Sequence, residues 1–520
     1  MKRTFRPIGL SVAGFLPTAA VVVFLVLSIG PAALAQAPSR AAASSPRNAQ
    51  KLLAEGDRLA KKKDYPGALL RYKDAYEQIV PKLRGLEFKR SVKAKLMTRD
   101  ELKIHMAKLL REEFSAAEMH LLDRTLKVFA LAPMKLDVEQ TLINLYTEEV
   151  AGFYNPANKN LVLIKEADKP KKRGLLELLL GSSPAFDTEE QRTTLAHEMT
   201  HALADQHFDL HALHLATRSD DDMALALSAL IEGEATLLMF AEMSRDDGDA
   251  RAEDAQAALH MSPRYIDFAF VALKAFLPFA GGKTFSSAPL ILRESLLFPY
   301  HKGTVFLLHA TNGGDWKPVN AAFRDPPTST EQILHPEKYF GKQRDVPTEV
   351  ALPKLGDAVD PSWKELGGNV QGEFQIAVIL AGVAGANQAA AGWDGDRYVV
   401  FENDKDRLAL VWQTTWDSPE DARQFAAAYA KHLRKTLKLK SKPSDKDQPE
   451  PAFQAVVQIE NAGQLHHVEC RERDVAVIQG FSSDETRRLI PLAFAARKTP
   501  KVFKLIKASD KDAPASGNDR

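Results

Sequence analysis

Cysteine is nearly absent. Cys470 is the single one in 520 residues, so no internal disulfide can form and stability must come from core packing. A pro-segment of the cysteine-switch type is excluded as well, and Cys470 itself reads as a small buried hydrophobe in a strand. Net charge is also lacking. The chain carries 69 basic and 68 acidic residues, and removing Lys2, Arg3 and Arg6 with the first 35 residues leaves a charge near −2. Such a balance points to neither a nucleic-acid partner nor a membrane surface. No cysteine follows the apolar run at the amino terminus, which excludes lipid attachment there.

What is there begins with that run. Lys2, Arg3 and Arg6 form a basic n-region, Thr18 to Ile29 an apolar core, and Ala33-Leu34-Ala35 an A-x-A cleavage site. The expectation is a signal peptide over 1–35 cut after Ala35, and a secreted or periplasmic protein. The remainder, with 45% hydrophobic and 26% charged residues, has the composition of an ordinary soluble chain of two to four domains.

The stretch that carries chemistry is LAHEMTHALADQHFDL, which holds His197, Glu198 and His201 in the pattern H-E-x-x-H. Residues four apart on a helix share a face, so two imidazoles can reach one ion, and the Glu between them can take a proton from a water on that ion. FDTEEQRTTL ahead of it reads as a helix start with Asp187 or Thr188 as N-cap, and Leu195, Met199, Ala202 and Leu203 supply an apolar face. A third protein ligand decides the class of site, and two residues compete for it. His207 stands where the metzincin pattern H-E-x-x-H-x-x-G-x-x-H has its third His, but Ala204 replaces the turning Gly and favours a helix that carries His207 away. The other is Glu232, which with Glu234 interrupts the apolar run of DDDMALALSALIEGEATLLMFAEM. A buried carboxylate needs a partner such as a metal.

The words ALIEGEAT resemble the glutamate helix of the gluzincin metallopeptidases, above all the N-E-G-x-A signature of the M1 aminopeptidase group. That resemblance implies Glu232 as third ligand and Glu234 as a supporting acid. FPYHKGTVFLLHATNGG, residues 298 to 314, resembles the P-Y-x-K-G helix of the same group and implies that Tyr300 donates to the oxyanion. The G-x-M-E-N signature that grips a free amino terminus is absent, so endopeptidase rather than aminopeptidase activity is implied. The chain also resembles a bacterial family of uncharacterised zinc metallopeptidases with the words GFYNP, HExxH, EGxA and STEQILHPEKY.

Around this core the pattern predicts an α+β protein. A linker over 36–47 leads to a helix pair over 48–85 with the spacing of one tetratricopeptide (TPR-like) unit, in which Gly56, Tyr65, Ala68, Tyr72, Ala75 and Pro81 carry the match. A single unit cannot bury its own face, so it is expected to dock on the next domain or on a partner protein. The mainly helical metallopeptidase-like domain spans 86–345. It includes a strand near 88–97, a capping box at Thr98 and Glu101, and a hairpin turning at Asn155-Pro156 that suits an edge strand over the metal and a substrate peptide added to it. KPKKRGLLELLLGSSP reads as a basic turn and a short helix over the cleft, DDGDARAEDAQ as an exposed loop, and His335 as a loop residue open to a structural or a functional role. From 346 to 507 a second α+β region is expected, with Trp393 and Trp416 either in its core or on a binding surface, and 508–520 reads as a polar tail.

The expected function is a zinc-dependent peptide hydrolase with one Zn2+ per chain, held by His197, His201 and Glu232, with Glu198 as general base and a peptide or protein as substrate. The alternatives are a metzincin-like peptidase using His207 and a metal-binding scaffold that interacts through its TPR-like unit or C-terminal domain.

Overall fold

The computed structural model describes residues 18–21, 47–165, 188–243, 252–280, 283–311, 313, 315–439 and 456–505. The fold is α+β: a mainly helical amino-terminal half, then an antiparallel six-stranded sheet with its helices. Most of the signal peptide, the linker, KPKKRGLLELLLGSSP and the polar tail lie outside the described residues.

Helices Arg47–Lys61 and Tyr65–Arg84 form the expected hairpin. Asp64 caps the second helix by accepting from the Gly67 amide, and Gly85 ends it in a left-handed conformation, φ 70°. The match residues explain the close packing: a Cβ on Gly56 would lie 2.4 Å from the ring of Tyr72, and Ala68, Tyr72, Ala75 and Tyr76 are buried. This face is covered by the helical core. Tyr76 donates to Glu242 at 2.9 Å, and Arg84 pairs with Glu234 with both side chains 1% exposed.

A four-stranded sheet lies beside the hairpin in the order β1 (Thr18–Val21), β3 (Val150–Asn155), β4 (Asn160–Lys165), β2 (Lys93–Thr98). β3 and β4 are the expected hairpin, with Gly152 opposite Leu163 and Asn155 opposite Asn160. β2 runs parallel to β4 and hands over to the helix Arg99–Glu113 through the capping box of Thr98 and Glu101. The backbone of Thr18–Val21 pairs antiparallel with β3, so β3 is an inner strand of this sheet and not the edge strand expected of it. The described end of DDGDARAEDAQ is helix and not the loop expected of it, because helix Ala252–Leu259 begins within it; alanine favours helix strongly enough to outweigh the acidic residues.

The carboxy-terminal half opens with β5 (Thr348–Ala351), which pairs antiparallel with β12 (Arg497–Pro500). The six-stranded sheet runs β6 (Trp363–Gly367), β7 (Trp393–Asn403), β8 (Leu408–Trp416), β11 (Asp474–Phe481), β10 (Gln464–Arg471), β9 (Val456–Asn461). Helix Pro419–Thr436 covers one face, where Trp412 and Trp416 meet Phe425 at ring distances of 5.3 and 4.7 Å. Helix Ser483–Phe494 covers the other face through Leu489 and Ala493. Trp393 and Trp416 are 0% exposed; they are core, and a binding surface is not built from them. Trp393 and Trp412 both donate their indole N–H to Asp396, whose carboxylate also accepts the amides of Gln371 and Gly372. Cys470 is buried in β10 as expected.

Candidate metal centre

Three helices build the site. The metal helix Thr188–Phe208 carries the motif, the glutamate helix Asp221–Met243 crosses it, and the tyrosine helix Leu290–Thr311 packs along the glutamate helix. The crossing of the last two depends on a glycine in each. A Cβ on Gly233 would lie 2.4 Å from the Gly303 carbonyl carbon, and a Cβ on Gly303 would lie 1.9 Å from the Ala229 carbonyl oxygen. The two backbones therefore touch, which is the physical content of the Gly in EGEA and of the Gly in PYHKG. Glu232 is one residue from this contact and Tyr300 three, so the crossing sets both side chains against the metal helix.

His197, His201 and Glu232 converge. Their ligand atoms all lie within 4.8 Å of one another. Glu232 Oε2 is 3.0 Å from His197 Nε2 and 3.4 Å from His201 Nε2. A tetrahedral ion with bonds of about 2.0–2.1 Å separates its donors by roughly 3.3 Å, so the spacing fits such an ion. His201 is 0% and Glu232 6% exposed, and among the described residues Nδ1 of both histidines makes no hydrogen bond, while His201 Nε2 has only the Glu232 carboxylate, at 3.4 Å, beside it. A buried imidazole with no partner is costly unless something else takes its lone pair. Burial, with His201 alongside, holds His197 below the usual histidine range against the pull of Glu232, which favours the neutral, ligating form. Burial pushes the Glu232 carboxyl up, but the two imidazoles outweigh it and bring it down to about 2. These three residues form a group that can hold a metal ion.

Glu198 is 0% exposed and its Oε2 accepts the backbone amide of Tyr154 in β3 at 2.7 Å. The ring of Tyr300 lies 5.9 Å from that of His197 at 26°, so the structure brings the expected oxyanion donor to the donor set. His207 does not join it. The helix continues through Ala204 to Phe208, and His207 Nε2 meets the carbonyl of Glu87 at 2.8 Å. Glu234 faces away from the ion group, beneath the guanidinium of Arg84, which also lies 4.6 Å from the Trp316 ring.

His335 is structural rather than ligating. Its Nε2 pairs with Glu373 at 2.9 Å, while Lys338 of the same segment binds Glu331 at 2.7, Asp345 at 2.8 and Asp417 at 2.5 Å. Thr330 donates to Asp222 at the start of the glutamate helix and accepts from the Phe374 amide. The words STEQILHPEKY thus fasten the amino-terminal end of the glutamate helix to the helix Gly372–Ile379 and to Asp417 at the end of β8.

Sequence reasoning missed three contributors. Tyr154 and Asp205 are joined by a 2.7 Å hydrogen bond; Asp205 was visible as the residue one turn beyond His201 on the same face. His214 is the third, held down at about 4 by burial and by His211 against the opposing field of Glu232.

A domain of unknown function, DUF8575, matches residues 362–490, which is the six-stranded sheet region and excludes the donor set. No curated protein and no solved structure matches the chain.

Proposed function

We propose that the protein is a zinc-dependent peptide hydrolase, cutting within chains. The observation that carries this reading is the convergence of His197, His201 and Glu232, their ligand atoms within 4.8 Å of one another, with Glu198 in the intervening position of the metal helix. Two imidazoles and one carboxylate are the donor set of the hydrolytic zinc sites, whose fourth position is left open. A zinc ion held there supplies Lewis acidity to a water and to the scissile carbonyl. Glu198 takes the proton from the attacking water and returns it to the leaving amine. Tyr300 donates a hydrogen bond from its phenol to the oxygen on which charge develops. A peptide added along β3 in the place of Thr18–Val21, which removal of the leader would vacate, would present its carbonyl beside the metal helix. The domain boundaries at 85/86 and 345/346, export through the leader and a protein substrate belong to the same proposal.

The donor atoms, Glu198 and Tyr300 are all buried, so a peptide reaches them only when the covering elements part. That burial is also the observation favouring a second reading, a metal-holding scaffold with no turnover.

The test uses the chain from residue 36, zinc-loaded, against a broad panel of internally quenched peptides. Cleavage by the parent, with Glu198→Gln retaining zinc at one per chain and losing turnover, supports the hydrolase. Zinc bound with no cleavage across the panel supports the scaffold, and loss of zinc in Glu198→Gln makes Glu198 a structural residue.

A further inference from the structure

We infer that Tyr154 is the positioning residue for Glu198, holding the base from both ends of a single strand residue. This rests on the hydrolase reading. The Tyr154 amide donates to Glu198 Oε2 at 2.7 Å, and its phenol donates to Asp205 Oδ2 at 2.7 Å. Glu198 and Asp205 are seven residues apart on the metal helix, two turns along the same face and about 10 Å apart. One tyrosine therefore spans two turns and fixes β3 against the helix in both position and register. Asp205 is in turn held by Lys159 Nζ at 2.9 Å, from the turn of the same hairpin, and by the Leu210 amide at 3.1 Å. The side chain of Asp205 is 0% exposed, and burial together with Asp205 keeps the phenol above the usual tyrosine range and so fully protonated as a donor.

The consequence for chemistry is geometric. A glutamate has three rotatable bonds, and a base that must meet a proton within hydrogen-bond reach loses rate when it wanders by an ångström. With Oε2 held by the strand amide, the swing of the carboxylate is restricted. A slip of β3 by one residue would turn the Tyr154 side chain to the opposite face of the strand and withdraw its amide from Glu198. The phenol–Asp205 bond opposes that slip from the side of the metal helix.

Tyr154→Phe keeps the ring and deletes the tether. In the zinc-loaded chain, with a peptide that the parent cuts, kcat is expected to fall about 10- to 100-fold with KM unchanged, and zinc content to stay at one per chain. In the metal-free protein, amide hydrogen exchange of the segment 150–155 is expected to quicken about 10-fold, which reads the tether without reference to turnover. Asp205→Asn, which leaves the tyrosine in place, should give the same pair of changes, and it answers the question if Tyr154→Phe does not fold. An unchanged kcat in Tyr154→Phe beside an active parent, a rise in KM alone, or unchanged exchange over 150–155 would each overturn the role. No cleavage by the parent would instead sink the hydrolase reading, and this one with it.

Discussion

Replacing Gly303 by alanine tests the helix crossing that sets the site. The new Cβ would lie 1.9 Å from the Ala229 carbonyl oxygen, where ordinary contact begins at 3.4 Å, so the glutamate and tyrosine helices must part by about 1.5 Å. Overpacking of this kind costs ~1–3 kcal/mol. At roughly 2 °C or more of Tm per kcal/mol for a domain of this size, Tm of the metal-free chain should fall by several degrees. The larger effect is on the ion. Metal–ligand bonds tolerate deviations of about 0.2 Å, and Glu232 sits three residues beyond the displaced carbonyl. Zinc affinity, read by competition with a chromogenic chelator, should drop by at least about 10-fold, beyond what the loss of stability alone produces. Gly356→Ala is the control, since a Cβ there meets nothing within 4 Å; it should change neither quantity. Unchanged Tm and zinc affinity in Gly303→Ala would refute the argument that backbone contact at this crossing places Glu232.

Glu232→Ala should lose zinc by elemental analysis, whereas His207→Ala should retain one per chain, because His207 is engaged with the Glu87 carbonyl. Arg84→Met should destabilise by about 3–5 kcal/mol in denaturant unfolding, since Glu234 is left charged and buried; Arg84→Met/Glu234→Leu should recover most of the loss. His335 is raised above its ordinary value first by its hydrogen bond to Glu373, with Glu337 adding to this and burial and Lys338 opposing. Glu373 is raised by burial, with His335 opposing. Both groups hold a proton more tightly folded than unfolded, so their contribution is full below the unfolded values and is lost as pH rises through the folded ones. Between pH 6 and 8, Tm should therefore fall more steeply in the parent than in His335→Gln, and equal slopes would remove the pair as the cause.

The features legible in the sequence were those whose signal is local. H-E-x-x-H, the Thr98–Glu101 box and the Asn155-Pro156 turn each depend on a few neighbouring residues, and each formed where the pattern put it. Glu232 was legible for a different reason, as a charge in an otherwise apolar helix. What could not be read was any pairing between distant segments. Arg84 and Glu234 are 150 residues apart, and the parallel register of β2 on β4 leaves no mark in either strand. β10, QLHHVECR, was passed over although Cys470 was placed in a strand, because its paired histidines and flanking charges break the alternation; both histidines are nonetheless buried. The tryptophans were ambiguous because an indole serves a core and a surface equally well; the fold decides by burying both and giving the Trp393 N–H to Asp396 and the Trp416 N–H to Thr414.

The enclosure of the donor set bears on time as much as on energy. With His201 at 0% and His197 at 1% exposed, an ion held between them can leave only during local opening of packed helices, so its exchange follows the rate of that opening rather than a simple off-rate. A chelator in excess would strip the protein at a rate independent of chelator concentration. Since affinity order among divalent ions favours copper and not zinc, a chain that closes over its ion would keep a record of whichever metal was at hand when it folded.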